Sequence, residues 1–205
     1  IIMKKEEKTE LTRKRILAAA MKEFGENGYQ GASLNRICDI GIPKGLLYHN
    51  FENRDALYLA CLEQSFATFT GFLREDGLGF GLQHYMDTRL HFFKSHPWEA
   101  RLFFEAILQP PLQLKDQVRA LKKDFDALNS ELYDRLLTRL TLRPGITRKE
   151  AKQYFSLMQD MVNCYLCSPS YQSVDFDEIL AAHEDNLAKL LDYMLYGIAE
   201  REAGL

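Results

Sequence analysis

IPKGLLYHNF, residues 42 to 51, sets two apolar side chains, Leu47 and Phe51, four positions apart and leaves Lys44, Tyr48 and His49 between and beside them. In a helix, positions four apart lie on one face, so Leu47 and Phe51 read as anchors and the three polar groups as an outward face. Pro43 suits a first helical turn, where its missing N–H costs nothing. This helix ends by about Asn50. Upstream, ASLNRICDIG predicts a second short helix, with Ser33 as its N-cap, Leu34, Ile37 and Cys38 along its length and Gly41 at its end. Before that, Ile16, Leu17, Ala20, Met21 and Phe24 form the apolar stripe of a helix from about Leu11 to Asn27, stopped by Gly28. Two short helices across a glycine turn, braced by a third, make a helix-turn-helix, whose second helix enters the DNA major groove. Lys44 to Asn50 is that recognition helix. An ammonium, a phenol and an imidazole there can donate to phosphate oxygens, and Gly45 allows close backbone approach.

Beyond residue 51 the helices lengthen. Asn53 caps a fourth, with Leu57, Cys61 and Leu62 inward; REDGLGFG at 74 to 81 is a loop; Leu82 to Lys94 is the fifth, and Pro97 opens the sixth. The QPP at 109 to 111 breaks the chain before a long seventh helix from about Leu114 to Leu140. TRKE at 147 to 150 is a capping box opening the eighth helix, and DFDE at 175 to 178 gives the ninth an acidic first turn. The fold class is therefore all-α, about nine helices with no internal repeat. A three-helix DNA-binding domain over residues 1–53 precedes a larger helical body over 54–205.

The 205 residues are 46% hydrophobic, 12% aromatic and 27% charged, enough for a sizeable core and too polar for a membrane protein. The opening IIMKKEEKTE turns charged within four residues and carries no signal-peptide pattern, so a cytoplasmic protein is expected. Cys38, Cys61, Cys164 and Cys167 lie in apolar helical patterns, as in a reducing compartment without disulfides. Residues 1 to 55 hold ten Lys/Arg against eight Asp/Glu, net +2, whereas 56 to 205 hold sixteen against twenty-one, net −5. The basic share is N-terminal, a weak electrostatic pointer to an anionic partner.

TRKRILAAAMKEFGENGYQGASLNRIC at 12 to 38, followed by PKGLLYHNFENRDALY at 43 to 58, resembles the DNA-binding domain of the TetR family of transcriptional repressors, most specifically in its Lys-Gly-x-Leu-Tyr-x-x-Phe core. The chain departs from the family pattern in having one residue fewer between Ile37 and Gly41, and Pro43 in place of Ser or Thr. The resemblance implies phosphate contacts from Ser33, Lys44, Tyr48, His49 and Arg54. It gives base readout to Arg36, whose guanidinium can pair bidentately with guanine, and to the face around Leu46 and Tyr48. It further implies a ligand-responsive repressor that binds a palindromic double-stranded DNA operator as a homodimer through helices 8 and 9, and that a small hydrophobic effector releases. Phe155, Met158, Val162 and Leu166 on the eighth helix, with Leu187, Leu190, Leu191, Met194 and Leu195 on the ninth, suit such an interface.

The family's effector pocket lies among helices 4 to 8. Phe66, Phe69, Phe92, Phe103 and Phe104, with Met158 and Met161, are its candidate apolar lining here, and His84, His91, Gln109, Asn163 and Tyr165 its candidate polar groups. Aromatic rings at helical spacing are core material first and pocket lining second. Cys164 and Cys167 have the spacing of a thiol pair, but no second pair or suitably spaced His completes a metal site; packing is their first reading and thiol sensing the second. His84 and His91, two helical turns apart, are too distant for one ion. No metal or cofactor is expected. No phosphate loop, Ser-His-Asp order, paired-carboxylate signature or His-Glu-x-x-His motif points to catalysis. An architectural DNA-binding protein without an effector, and behind it a helical enzyme, are the rival readings.

Overall fold

The computed structural model of the chain describes residues 5–39, 41–77, 81–168, 170 and 174–198. They form ten α-helices: α1 Lys5–Gly31, α2 Leu34–Asp39, α3 Lys44–Asn50, α4 Arg54–Phe72, α5 Leu82–Ser95, α6 Pro97–Leu108, α7 Lys115–Leu121, α8 Lys123–Thr138, α9 Arg148–Leu166 and α10 Phe176–Ile198. A π-helical turn, Leu73–Gly77, follows α4; the rest of the loop expected at 74 to 81 includes residues 78–80, outside the described residues. The predicted starts of α5, α6 and α9 hold. Thr147 Oγ1 accepts from the Glu150 N–H at 3.2 Å, and Glu150 Oε2 accepts from the Thr147 N–H at 2.8 Å, closing the capping box reciprocally. Asn53 caps α4 by accepting the Ala56 N–H at 2.8 Å.

Two helix boundaries are corrected. α1 begins at Lys5 rather than Leu11, and Gly28 breaks its backbone at φ 65° instead of ending it outright, so a last turn continues to Gly31. The seventh predicted helix divides into α7 and α8, so the predicted eighth and ninth become α9 and α10. Lys122 sits at φ −76°, ψ −10°, its N–H shared between the Val118 and Ala120 carbonyls. Asp124 and Asp126 then open α8 as a new N-terminus.

The chain folds as two compact units, Ile1–Thr68 with Phe93–Lys122, and Phe69–Phe92 with Lys123–Leu205. In the first, α1 packs chiefly on α6. Gly25 makes this approach possible: a Cβ there would lie 3.0 to 3.1 Å from Trp98. Ile16, Ala20 and Phe24 of α1 are buried with Ile37, Leu47, Phe51 and Leu57, so the helix-turn-helix and the start of α4 share one core. Phe66, Phe93, Phe103 and Phe104 form an aromatic group with ring centroids 5.1 to 5.5 Å apart. Cys61 belongs to the same core; burial pushes its thiol up to about 12, which suits packing rather than reactivity.

In the second unit Phe69 meets Phe92 and Phe125, Phe72 meets Phe92, and Tyr133 stacks on Phe155 at 4.3 Å. α9 and α10 lie against each other. No helix among the described residues is long and apolar enough to cross a membrane, and all four cysteines are free thiols.

Candidate nucleic-acid interface and helical core

Gly41 lies at φ 87°, in the left-handed region that favours glycine, and carries the chain from α2 to Pro43. The Pro43 carbonyl accepts from Leu46 and Leu47, which starts α3. Leu47 and Phe51 are buried, as is Ile42 before them, while Lys44, Gly45, Leu46, Tyr48 and His49 are exposed. Arg13 of α1 holds the far end of α3: its guanidinium lies 4.5 Å over the Phe51 ring, and Nη1 donates to the Asn50 carbonyl at 3.4 Å. A cation at a helix C-terminus complements the dipole. The outward face of α3 thus stands on an apolar foundation.

Ser33 and Arg36 meet a residue that the sequence reading missed. Glu23 is almost fully buried, accepts the Ser33 N–H at 2.8 Å, and pairs with Arg36 Nε at 3.2 Å. Arg36 also donates to the Gly31 carbonyl at 3.1 Å and to Asn27 at 3.4 Å, so its guanidinium braces α1 against α2. The available signal was a carboxylate on the apolar stripe of α1, one position before Phe24. Arg54 is half-buried, with its guanidinium 4.5 Å over the Tyr29 ring; Nε and Nη2 make no hydrogen bond among the described residues.

The candidate effector residues fall in both units. Phe66, Phe103 and Phe104 are buried in the first, with Gln109 exposed; Phe69, Phe92 and Met158 are buried in the second, and His84 and Asn163 are half-buried. His91 is exposed and stacks near Phe72 at 6.0 Å. Met161 and Tyr165 of α9 are 63% and 57% exposed, outside the core row that holds Met158. The expected dimer stripe divides, with Leu190 exposed and Met194 and Leu195 half-buried. Phe155, Met158, Val162, Leu166, Leu187 and Leu191 are buried within the chain, whereas Tyr154, Leu157, Met161 and Tyr165 of α9 and Leu190, Tyr193 and Tyr196 of α10 are exposed. Each amphipathic helix carries a second apolar row beside its core row, and periodicity alone does not tell one from the other.

The second unit also holds a buried polar cluster that the sequence reading missed. Arg89 of α5 donates to both oxygens of Glu184 on α10, at 2.8 and 2.7 Å, with both side chains 3% exposed. His183 Nδ1 lies 2.9 Å from Glu184 Oε1, and its Nε2 lies 3.2 Å from Asn163 Oδ1 on α9. Tyr85 donates to Asn129 of α8. Burial by itself would raise the Glu184 carboxyl; Arg89 overrides this, aided by His183, and holds it at about 2. The hydroxyls of Thr70 and Thr88 are buried without a hydrogen-bond partner among the described residues.

An all-α chain whose exposed basic and aromatic helix α3 stands on a buried three-helix core has the helix-turn-helix arrangement. Residues 16–61 match the family model described as bacterial regulatory proteins, tetR family. It is 30% identical over 120 residues to the transcriptional regulator RutR of Escherichia coli O157:H7, covering 56% of this chain and 57% of that protein. It is 40% identical over 76 residues to the regulator UidR of Escherichia coli K12, covering 37% and 39%. These matches span at most little more than half the length of either relative. Among solved structures, a tetR-family regulator from Shewanella has a TM-score of 0.61 at 18% identity, covering 93% of this chain and 99% of that one. The FadR regulator of Bacillus subtilis, solved with stearoyl-CoA, has a TM-score of 0.64 at 16% identity, covering 90% and 98%. Both share the fold. The named relatives are regulators rather than enzymes.

Proposed function

We propose that the chain is a transcriptional repressor whose residues 1–53 bind a palindromic operator and whose residues 54–205 bind a small hydrophobic effector and form a homodimer. The observation that carries this reading is the recognition helix, with Leu47 and Phe51 buried beneath exposed Lys44, Tyr48 and His49. Ser33, Lys44, Tyr48, His49 and Arg54 serve the phosphates, and Gly45, Leu46 and Tyr48 face the bases. Two such helices, about 34 to 36 Å apart in a dimer, read two half-sites one turn apart. Selection of bound duplexes from random sequence, read by fluorescence anisotropy, tests the reading; no selected sequence and no salt-dependent binding would remove it.

Lys44→Ala is expected to weaken binding to all sequences about equally and to lower the slope of log affinity against log salt by about one per subunit. Arg36→Ala should differ. Because Glu23 then loses its counter-charge, the variant is expected to melt earlier and to lose affinity without a change of preferred sequence. Relaxed selection at one base in each half-site would instead make Arg36 a base reader.

The dimer face we assign is the exposed row Tyr154, Leu157, Met161 and Tyr165 beside Leu190, Tyr193 and Tyr196, apolar and aromatic as the centre of an obligate interface requires. Met161→Glu with Tyr193→Glu is expected to give a monomer by size-exclusion chromatography with light scattering, and a wild-type monomer at micromolar concentration would defeat the assignment. The effector is expected to be an apolar or aromatic molecule with one polar handle, matched to the buried Phe66, Phe103 and Phe104 or Phe69 and Phe92. Thermal-shift stabilisation by sugars or highly charged metabolites alone would contradict this.

A further inference from the structure

Glu105 of α6 takes hold of the chain at the point where α1 breaks. Its Oε1 accepts the Tyr29 N–H at 2.8 Å and its Oε2 accepts the Tyr58 hydroxyl at 2.9 Å. Gly28 permits this grip, since a Cβ there would lie 3.1 Å from Glu105 Oε1. From Tyr29 the contacts run on: its hydroxyl donates to Asp55 at 2.6 Å, accepts from Gln113 at 2.8 Å, and its ring supports Arg54. Three residues past Tyr29, the Ala32 N–H closes onto the Gly28 carbonyl, and Ser33 is then fixed by Glu23 at the entrance to α2. One carboxylate of α6 therefore sets where α1 turns toward α2 and how α4 leaves α3.

Burial raises the Glu105 carboxyl above its usual range, against the pull of its two donors and Arg54. A buried acceptor held by two such donors is costly to dislodge, because the Tyr29 N–H and the Tyr58 hydroxyl would both be left unpaired. On the same helix, Phe103 and Phe104 immediately precede Glu105 and meet Phe66 and Phe93. A helix moves as a rigid element, so the aromatic face and the grip shift together.

We propose that Glu105 is a positioning residue for DNA binding, a clamp through which displacement of α6 at Phe103 and Phe104 loosens the frame that holds α2 and α3. This rests on the effector-responsive repressor reading, and α6 supplies the path from effector to operator. Tyr29, Tyr58 and Asp55 transmit the clamp and touch no DNA themselves.

The test uses the full chain and the duplex that the wild-type protein selects from random sequence. Glu105→Ala is expected to lower affinity for that duplex about tenfold, within the usual range of coupling between sites, with the salt slope unchanged because no phosphate contact is lost. Glu105→Gln keeps one acceptor for Tyr29 and should stay near wild type. Phe104→Leu should weaken operator binding in the wild-type background and have no further effect on top of Glu105→Ala; a purely structural role would make the two losses add. Hydrogen exchange on the free protein should show faster exchange at the Tyr29 amide and through α2 and α3 in Glu105→Ala, with α8 to α10 unchanged. Should Glu105→Ala fail to fold, Tyr58→Phe removes one of the two bonds and is expected to give the same local pattern in smaller measure. Unchanged exchange at Tyr29, α2 and α3, or additive losses in the Phe104 cycle, overturns the clamp. Exchange needs no DNA, so a protein that selects no duplex defeats the repressor reading while the clamp is still judged by its own measurement.

Discussion

Arg89→Met is expected to lower stability by about 3 to 5 kcal/mol, which for a chain of this size moves the melting temperature down by roughly 6 to 20 °C. The loss comes from Glu184, which would remain in the core with His183 as its neighbour and without its guanidinium partner. Taking away one member of a buried pair costs more than the pair contributes, so Arg89→Met combined with Glu184→Leu should recover most of the loss. The pH dependence has a definite sign. The folded Glu184 carboxyl lies at about 2, below the unfolded value, so its contribution is complete above the unfolded carboxyl range and disappears as pH falls toward 2. The gap between wild type and Arg89→Met should therefore narrow in acid. Circular-dichroism melts at neutral and acid pH check both statements; a single variant that melts with the wild type would mean that the pair contributes nothing.

Phe51→Ala is the second large effect. Phe51 is buried, closes α3 onto the first unit and supports the Arg13 guanidinium. Removing a buried phenyl ring costs about 3 to 5 kcal/mol. The variant should lose binding to the selected operator while keeping the proposed dimer, because the exposed row of α9 and α10 is untouched. Tyr48→Phe, which keeps the buried anchors and alters only the exposed face, is expected to leave the melting temperature in place and weaken DNA binding alone. Unchanged operator affinity in Phe51→Ala would show that α3 does not depend on this anchor.

The recognition helix was legible because its signals are local: a glycine turn, a proline start and two apolar residues one turn apart all fall within a short stretch. The capping box at Thr147 and the acidic start of α10 were readable for the same reason. The break at Lys122 was not, since no glycine or proline marks it and helix propensity continues through it. Arg89 and Glu184 are 95 residues apart, and nothing in either local pattern names the other. The same holds for Glu105 and Tyr29. On α9 and α10 the sequence held two apolar rows per helix, and only packing showed that Phe155 and Leu187 go inward while Met161 and Tyr193 remain outside.

Trp98, the chain's single tryptophan, packs against Gly25 at the joint between α1 and α6. The molecule thus carries its own optical gauge. Indole emission responds to local solvation, and the ten tyrosines absorb at shorter wavelength, so the indole can be excited alone. Any compound that slides α6 along α1 should shift the emission maximum of the unlabelled protein, so a plate-reader titration without DNA, dye or tag can test candidates for the proposed effector.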